Sequence, residues 1–426
     1  MALKRLGWGS AYAAVSLALA ACSTVDDTVN VPAAEMDRWL ADKPAGTHHL
    51  YASVLVGGQR NRVLTQMRAG LAAFEAGEDD VAAASFDDAL NRIETVYADT
   101  PSAAKARSTF VPERGKDFKG EAYERAMAFY YRGLIFLAAG DYGNARAVFQ
   151  GGQLQDAFAE QERYQSDFAV LDVLSGWASQ CEGNSVLARE FYGRAIAARP
   201  DIYIPGADDR ILAIADMGLA PVKVGEGSYG EYLSYVQPDH VPEYSVDFVA
   251  DGAVYPASFG EDVFWQATTR GGRQVDKILA GKAQFKDTTA VVGIASLQLA
   301  DVALDVAAWN SWDDYYDGGD DTDTALAWAA GLAVVGIGSL MMSDAAAPEA
   351  DTRYWDNLPA HIDYTSLPAG VYPTQVVFKD SSGSTLGVMP TRLRMDPKDH
   401  CGLVYVKSRR AAEIPAAPPN ASLARR

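Results

Sequence analysis

"YRGLIFLAAGDYGNARAVF", residues 131–149, carries the pattern that decides the fold. Apolar residues recur at helical spacing on both sides of Gly140 and Asp141, so two helices meet at a tight turn. Gly133 and Ala145 are the small residues that let such helices approach, while Phe136, Tyr142 and Phe149 fill the space between neighbouring pairs. An earlier segment sets Gly70, Gly77, Ala82, Phe86 and Ala89 in the same register. A later one sets Gly176, Gly183, Ala188, Tyr192, Ala195 and Pro200 there.

This order of small, aromatic, turn, aromatic, small and aromatic residues resembles a tetratricopeptide repeat. The resemblance implies stacked helix pairs with an extended concave face for another protein and no chemistry of their own. The match departs from the family in two ways. Turn glycines Gly77, Gly140 and Gly183 lie 63 and 43 residues apart, against a family period of about 34. Ala73 and Ser179 stand where the middle segment has Phe136, so the repeats are degenerate. "TPSAAKARSTFVPERGKDFKG", residues 100–120, reads as a long loop between units. A plain helical bundle with alanine-rich contacts is the competing architecture.

Upstream, Lys4 and Arg5 precede an uncharged Ala- and Leu-rich stretch, residues 11–21, too short to span a bilayer. It ends on Leu19, Ala20, Ala21 and Cys22, a tetrad that resembles the lipobox of bacterial lipoproteins. That resemblance implies a diacylglycerol on the Cys22 thiol, cleavage before it and acylation of the new amine. Ser23 stands where the family's inner-membrane retention signal has Asp, which points to the outer membrane with the protein facing the periplasm. Cleavage reduces 37 basic residues to 35 against 56 acidic ones, moving the formal charge from −19 to −21. Such a surface repels phosphate backbones, so nucleic acid is excluded as a partner. With Cys22 acylated, Cys181 and Cys401 remain; they either bridge in an oxidising compartment or stay as small buried hydrophobes.

Beyond Pro221 the pattern turns to alternation, with an edge strand expected at residues 244–249. Arg270, Arg273, Lys277, Lys282 and Lys286 form a basic cluster that reads as a solvated helix face, with anionic head groups or an acidic partner as the sharper alternative. Residues 290–309 and 325–342 are unusually apolar. They predict a buried helical hairpin, since Ala and Gly dominate; membrane insertion is the alternative. Between them, Asp313, Asp317 and Gly318 fit part of a calcium loop, but Tyr315 and Thr324 replace ligands it needs. Asp380 to Ser384 is a polar turn between two strands, and "CGLVYVKSR", residues 401–409, supplies a third. The stretch "ADTRYWDNLPAHIDYTSLPAGVYP", residues 350–373, together with "RQVDKILAGKAQF", residues 273–285, resembles an uncharacterised family of tetratricopeptide-repeat envelope lipoproteins. The likeness covers most of residues 50–408 and implies assembly beside other lipoproteins, with no catalytic residues to carry over. Trp355 and Leu358 are expected to bury against the apolar hairpin.

No histidine falls in HExxH or a paired zinc spacing, no serine lies in GxSxG, and "LAGKAQ" lacks the flanking residues of a phosphate loop. The expectation is therefore a non-enzymatic protein without metal or cofactor. Its organisation reads as a signal peptide over 1–21, a lipidated tether over 22–46, a tetratricopeptide-like helical solenoid over 47–215, an α+β domain over 216–408 with a helical hairpin and a small antiparallel sheet, and a disordered tail over 409–426. The expected function is a lipid-anchored envelope module that binds proteins through its repeats. The alternative is a structural membrane component whose hairpin, about residues 290–342, inserts as part of an oligomeric pore or plug.

Overall fold

The computed structural model describes residues 28–94, 117–156, 167–227, 232–238, 241–269, 350–395 and 401–409. The Cys22 anchor, the basic cluster, the apolar hairpin, the acidic loop, most of the 100–120 loop and the tail lie outside them.

The described chain opens with α1 (Ala33–Leu40), within the stretch expected as a tether, and α2 (His48–Val56), at the start of the expected helical domain. Trp39 explains why this segment docks: its indole donates to the Tyr51 carbonyl at 2.8 Å, and Lys43 Nζ lies over both rings. Three antiparallel helix pairs follow: α3 (Arg62–Ala76) with α4 (Asp79–Glu94), α5 (Ala122–Ala138) with α6 (Tyr142–Asp156), and α7 (Ala169–Cys181) with α8 (Ser185–Ala198). Each helix packs on the next, forming a row.

The three turns close identically. Gly77, Gly140 and Gly183 take positive φ of 82°, 73° and 83°, a backbone that glycine adopts without strain. Behind them the amides of Glu78, Asp141 and Asn184 reach back to the carbonyls of Ala73, Phe136 and Ser179 at 2.9 Å. The Asn184 side chain then caps α8 through Leu187 N, and a reciprocal Glu121–Glu124 capping box starts α5.

The helices end at Ala198, not at 215 as the sequence pattern suggested. Residues Asp209–Met217 form strand β1. Its Ile211 to Met217 stretch is buried on both faces, so it reads as a continuous apolar run that periodicity cannot separate from a helix. The remaining strands are β2 (Val222–Glu226), β3 (Tyr232–Val236), β4 (Ser245–Ala250), β5 (Ala253–Pro256), β6 (Ser258–Asp262), β7 (His361–Pro368), β8 (Gln375–Lys379), β9 (Thr385–Pro390), β10 (Leu393–Met395) and β11 (Gly402–Lys407). A short helix α9 (Val263–Thr268) follows β6.

These strands make more than the small antiparallel sheet expected. A five-stranded sheet runs β10-β11-β1-β7-β6, with β11 parallel to β1 and the other pairs antiparallel. A four-stranded antiparallel sheet runs β5-β4-β8-β9, so β4 is an inner strand rather than the expected edge. A β2–β3 ribbon stands apart. β11, read from sequence beside the β8–β9 hairpin, belongs to the other sheet.

Helices cover one face of the five-stranded sheet and the four-stranded sheet covers the other. The helical row and the five-stranded sheet therefore share a core. One hydrophobic cluster joins Phe74, Tyr131 and Trp177 of the helices to Leu212, Ile214, Ile362 and Leu403 of the sheet. Trp355 and Leu358 are fully buried in that same cluster, with Phe86 and Tyr131 of the helices against the Trp355 ring; the hairpin expected to cover them lies outside the described residues.

Candidate functional site

Three of the glycines in the common register lie against side chains of the paired helix. A Cβ on Gly133 would overlap the Phe149 ring, and one on Gly176 would overlap Tyr192. A Cβ on Gly70 would sit 3.1 Å from Ser85 and 3.3 Å from Phe86. Ala82, Ala145 and Ala188 are buried, as are Tyr142 and, at the positions equivalent to Phe136, Ala73 and Ser179. Phe136 is half-buried under the Arg132 guanidinium, 3.7 Å from its ring centroid.

The face expected to receive a partner is occupied by the chain itself. Helices α3, α5 and α7 turn their buried side toward the five-stranded sheet, and residues 353–358 run across α3 and α5. Trp355 lies 5.7 Å from Tyr131 and 6.1 Å from Phe86, ring to ring. Its amide donates to Glu124 Oε1 at 2.7 Å. Glu124, itself fully buried, also meets Lys223 Nζ at 3.3 Å, which compensates a charge that would otherwise be expensive to bury. Arg68 pairs with Asp356 at 2.7 Å and donates to the Tyr354 carbonyl, while the Asn357 amide donates back to the Arg68 carbonyl. Arg353 reaches Asn61 Oδ1 at 2.8 Å while holding Asp351.

Further along the same interface, Asp216 of β1 accepts from Tyr131 at 2.5 Å, Tyr405 at 2.8 Å and Tyr130 at 3.2 Å. Burial pushes its carboxyl up to about 6, against the pull of the three hydroxyls. Burial, with the Asp216 charge beside them, raises the three phenols well above their ordinary value. Lys407 of β11 pairs with Glu75 of α3 at 3.1 Å and donates to the Asn357 carbonyl.

Two further clusters lie at the β6 end. Burial pushes Glu261 up to about 8, although Arg199 stands 3.9 Å away and Gln266 Nε2 and the Val170 amide donate to it. His361 Nδ1 meets Asp363 Oδ1 at 2.9 Å. Burial disfavours charge on His361, but the Asp363 hydrogen bond and charge outweigh it and raise its pKa. In both clusters the polar groups partner one another across the packed elements. Among the described residues no group of His, Cys, Asp and Glu is placed to hold a metal.

Cys181, the last residue of α7, and Cys401, just before β11, are joined as a disulfide with Cα atoms 6.0 Å apart. It links the helical row to the central sheet across a separation of 220 residues. Sequence offered both cysteines without the fold that aligns them.

The uncovered surface lies elsewhere. On the outer side of the four-stranded sheet Val254 is 56% exposed, Val388 55% and Leu386 42%. Val254 stands opposite Val249, and Val388 opposite Val377, so the aliphatic residues share one face. Asp247 and Lys379 form an ion pair within it. Sequence alternation could have found this face, had the strands been assigned to one sheet.

The chain matches no protein-family model, no curated protein and no solved structure. Among the described residues no helix is long and apolar enough to cross a membrane.

Proposed function

We propose that this chain is a lipid-anchored cell-envelope protein, held at the outer membrane through Cys22 and facing the periplasm, that works as a protein-binding or assembly module for other envelope proteins. Its helix pairs are degenerate tetratricopeptide-type repeats, a reading supported by their common register and their three identical turns. The lipobox supports the anchor, and the Cys181–Cys401 bridge fits an exported chain, because disulfides persist in oxidising compartments.

The observation that carries the binding role is the aliphatic outer face around Val254, Val388 and Leu386. Contiguous exposed apolar surface rimmed by polar residues marks interaction sites. The repeats serve as a scaffold behind that face, since their inner side holds the chain's own residues 353–358.

Crosslinking in native membranes tests this, comparing the acylated wild type with Val254→Lys/Val388→Lys and with Ile196→Lys on the helical layer. Adducts to one or two envelope proteins should vanish in the sheet variant and persist in the helix variant. Adducts that survive the sheet substitutions, or adducts to the chain itself alone, overturn the reading.

A further inference from the structure

We propose that the N-terminal end of the helical row, formed by Val29, α1 and the turn after α2, faces the lipid surface and stands the layers upright on the membrane. The inference rests on the anchor reading above and adds an orientation to it. The Val29 amide donates to the Val56 carbonyl at 2.7 Å, so the chain is already held on α2 seven residues after Cys22. Seven extended residues reach at most about 25 Å. A compact body of about 260 residues, the size of the described part, has a radius of gyration near 18 Å and is therefore roughly 45 Å across. The tether is shorter than the molecule is wide, so the anchor brings only the α1–α2 end to the bilayer.

Electrostatics adds no attraction there. Glu35, Asp37 and Asp42 are exposed on this end against Arg38, with Lys43 paired to Asp42 at 2.8 Å, and the remaining acidic side chains are repelled by anionic lipid. The acyl chains alone hold the contact, so added salt does not release it.

Successive helices pack in chain order from α1 to α8, which places α8 at the far end of the row. The row runs within the helical layer. Pointing its first helices at the bilayer sets every layer perpendicular to the membrane, and the aliphatic face around Val254 and Val388 then looks sideways, open to a neighbouring protein.

The test uses the full acylated chain in vesicles of phosphatidylethanolamine and phosphatidylglycerol carrying a small fraction of a nickel-chelating lipid. Nitroxides are attached in separate variants, Asp37→Cys on α1, Gly193→Cys on α8 and Ser382→Cys on the β8–β9 turn, all exposed positions. Relaxation by surface nickel should be several-fold stronger at 37 than at 193 or 382. A Gly/Ser insertion of about thirty residues between Asp27 and Thr28, whose flexible span is about 30 Å, should erase that contrast. Equal relaxation at the three sites of the uninserted chain, or stronger relaxation at 193 or 382, overturns the orientation. Mass spectrometry of the N-terminal peptide separates the two ideas: an unmodified Cys22 overturns the anchor and the orientation together, whereas an acylated Cys22 with the wrong contrast overturns the orientation alone.

Discussion

The two faces of the five-stranded sheet are buried by different chemistry. Toward the four-stranded sheet, β1 and β11 present Ile211, Ala213, Ala215, Met217, Val404 and Val406, which meet Val246, Phe248, Val376 and Phe378. Toward the helices the alternate residues of the same strands are Leu212, Ile214, Asp216, Leu403, Tyr405 and Lys407. The first face needs only volume and apolarity, a requirement that many residues meet. The second adds hydrogen-bonded and ionic groups that each require a partner at a fixed position, because a buried polar group left unpaired is penalised. One pleated strand thus packs by size on one side and by geometry on the other, and the helix face is where the parts of the chain are held in a single arrangement.

The largest test of that difference is covalent. The Cys181–Cys401 bridge closes a separation of 220 residues and lies on the helix face. Loop-closure entropy assigns a bridge of that span about 5 kcal/mol. Against a typical total of about 5–15 kcal/mol, its loss should move the urea midpoint far down. Cys181→Ser/Cys401→Ser, compared with wild type under non-reducing conditions, measures this. A midpoint that does not move would mean that packing alone holds the helical row to the sheet.

Asp216 and Ile211 sharpen the comparison within one strand. Asp216→Ala strands three buried hydroxyls, Tyr130, Tyr131 and Tyr405, and should lower stability by about 3 kcal/mol or more. Asp216→Asn keeps an acceptor oxygen and should lose less. Ile211→Val, fully buried on the opposite face, removes one methylene and should cost about 1 kcal/mol. Chemical unfolding of the three variants orders them. If Asp216→Ala lost no more than Ile211→Val, the distinction between the faces would collapse.

The same contrast explains what could be read in advance. Gly70, Gly133 and Gly176, the aromatics that pack on them and the three turns obey local rules, so their register was visible in residues lying close together. The Asp216 cluster obeys none: its tyrosines lie 86, 85 and 189 residues away. The signals present were an acid inside the apolar run 211–217 and the tandem Tyr130–Tyr131 in an apolar helix. β1 was read as helix because burial on both faces removes the alternation that marks a strand. The occupied inner face was missed for a related reason. Nothing near Trp355 in sequence says that Phe86 and Tyr131 cover it.

The last effect is one of pH and concerns Glu261, at the β6 edge of the helix-facing side. Its carboxyl is raised from 4.5 to about 8 because burial outweighs Arg199, Gln266 and the Val170 amide, and nearby Asp167 pushes the same way. Between those two values the folded chain keeps a proton that the unfolded chain releases. Stability from this group is therefore complete below pH 4.5 and is lost as pH rises toward 8, with a slope no steeper than about 1.4 kcal/mol per pH unit. Asp216, raised from 3.8 to about 6, and His361, raised above 6.5, act in the same direction over their own windows. A wild-type curve alone cannot assign the slope. Glu261→Gln can, since nothing titrates there. Its one amide oxygen replaces two carboxylate oxygens, of which one accepts from Gln266 and the other from the Val170 amide, so the variant is compared by slope and not by absolute stability. The urea midpoint of wild type should fall between pH 6 and pH 8, and that of Glu261→Gln should fall distinctly less. Parallel curves would mean that Glu261 is ionised throughout, held by Arg199, and that the helix face carries a full buried ion pair in place of a protonated carboxyl.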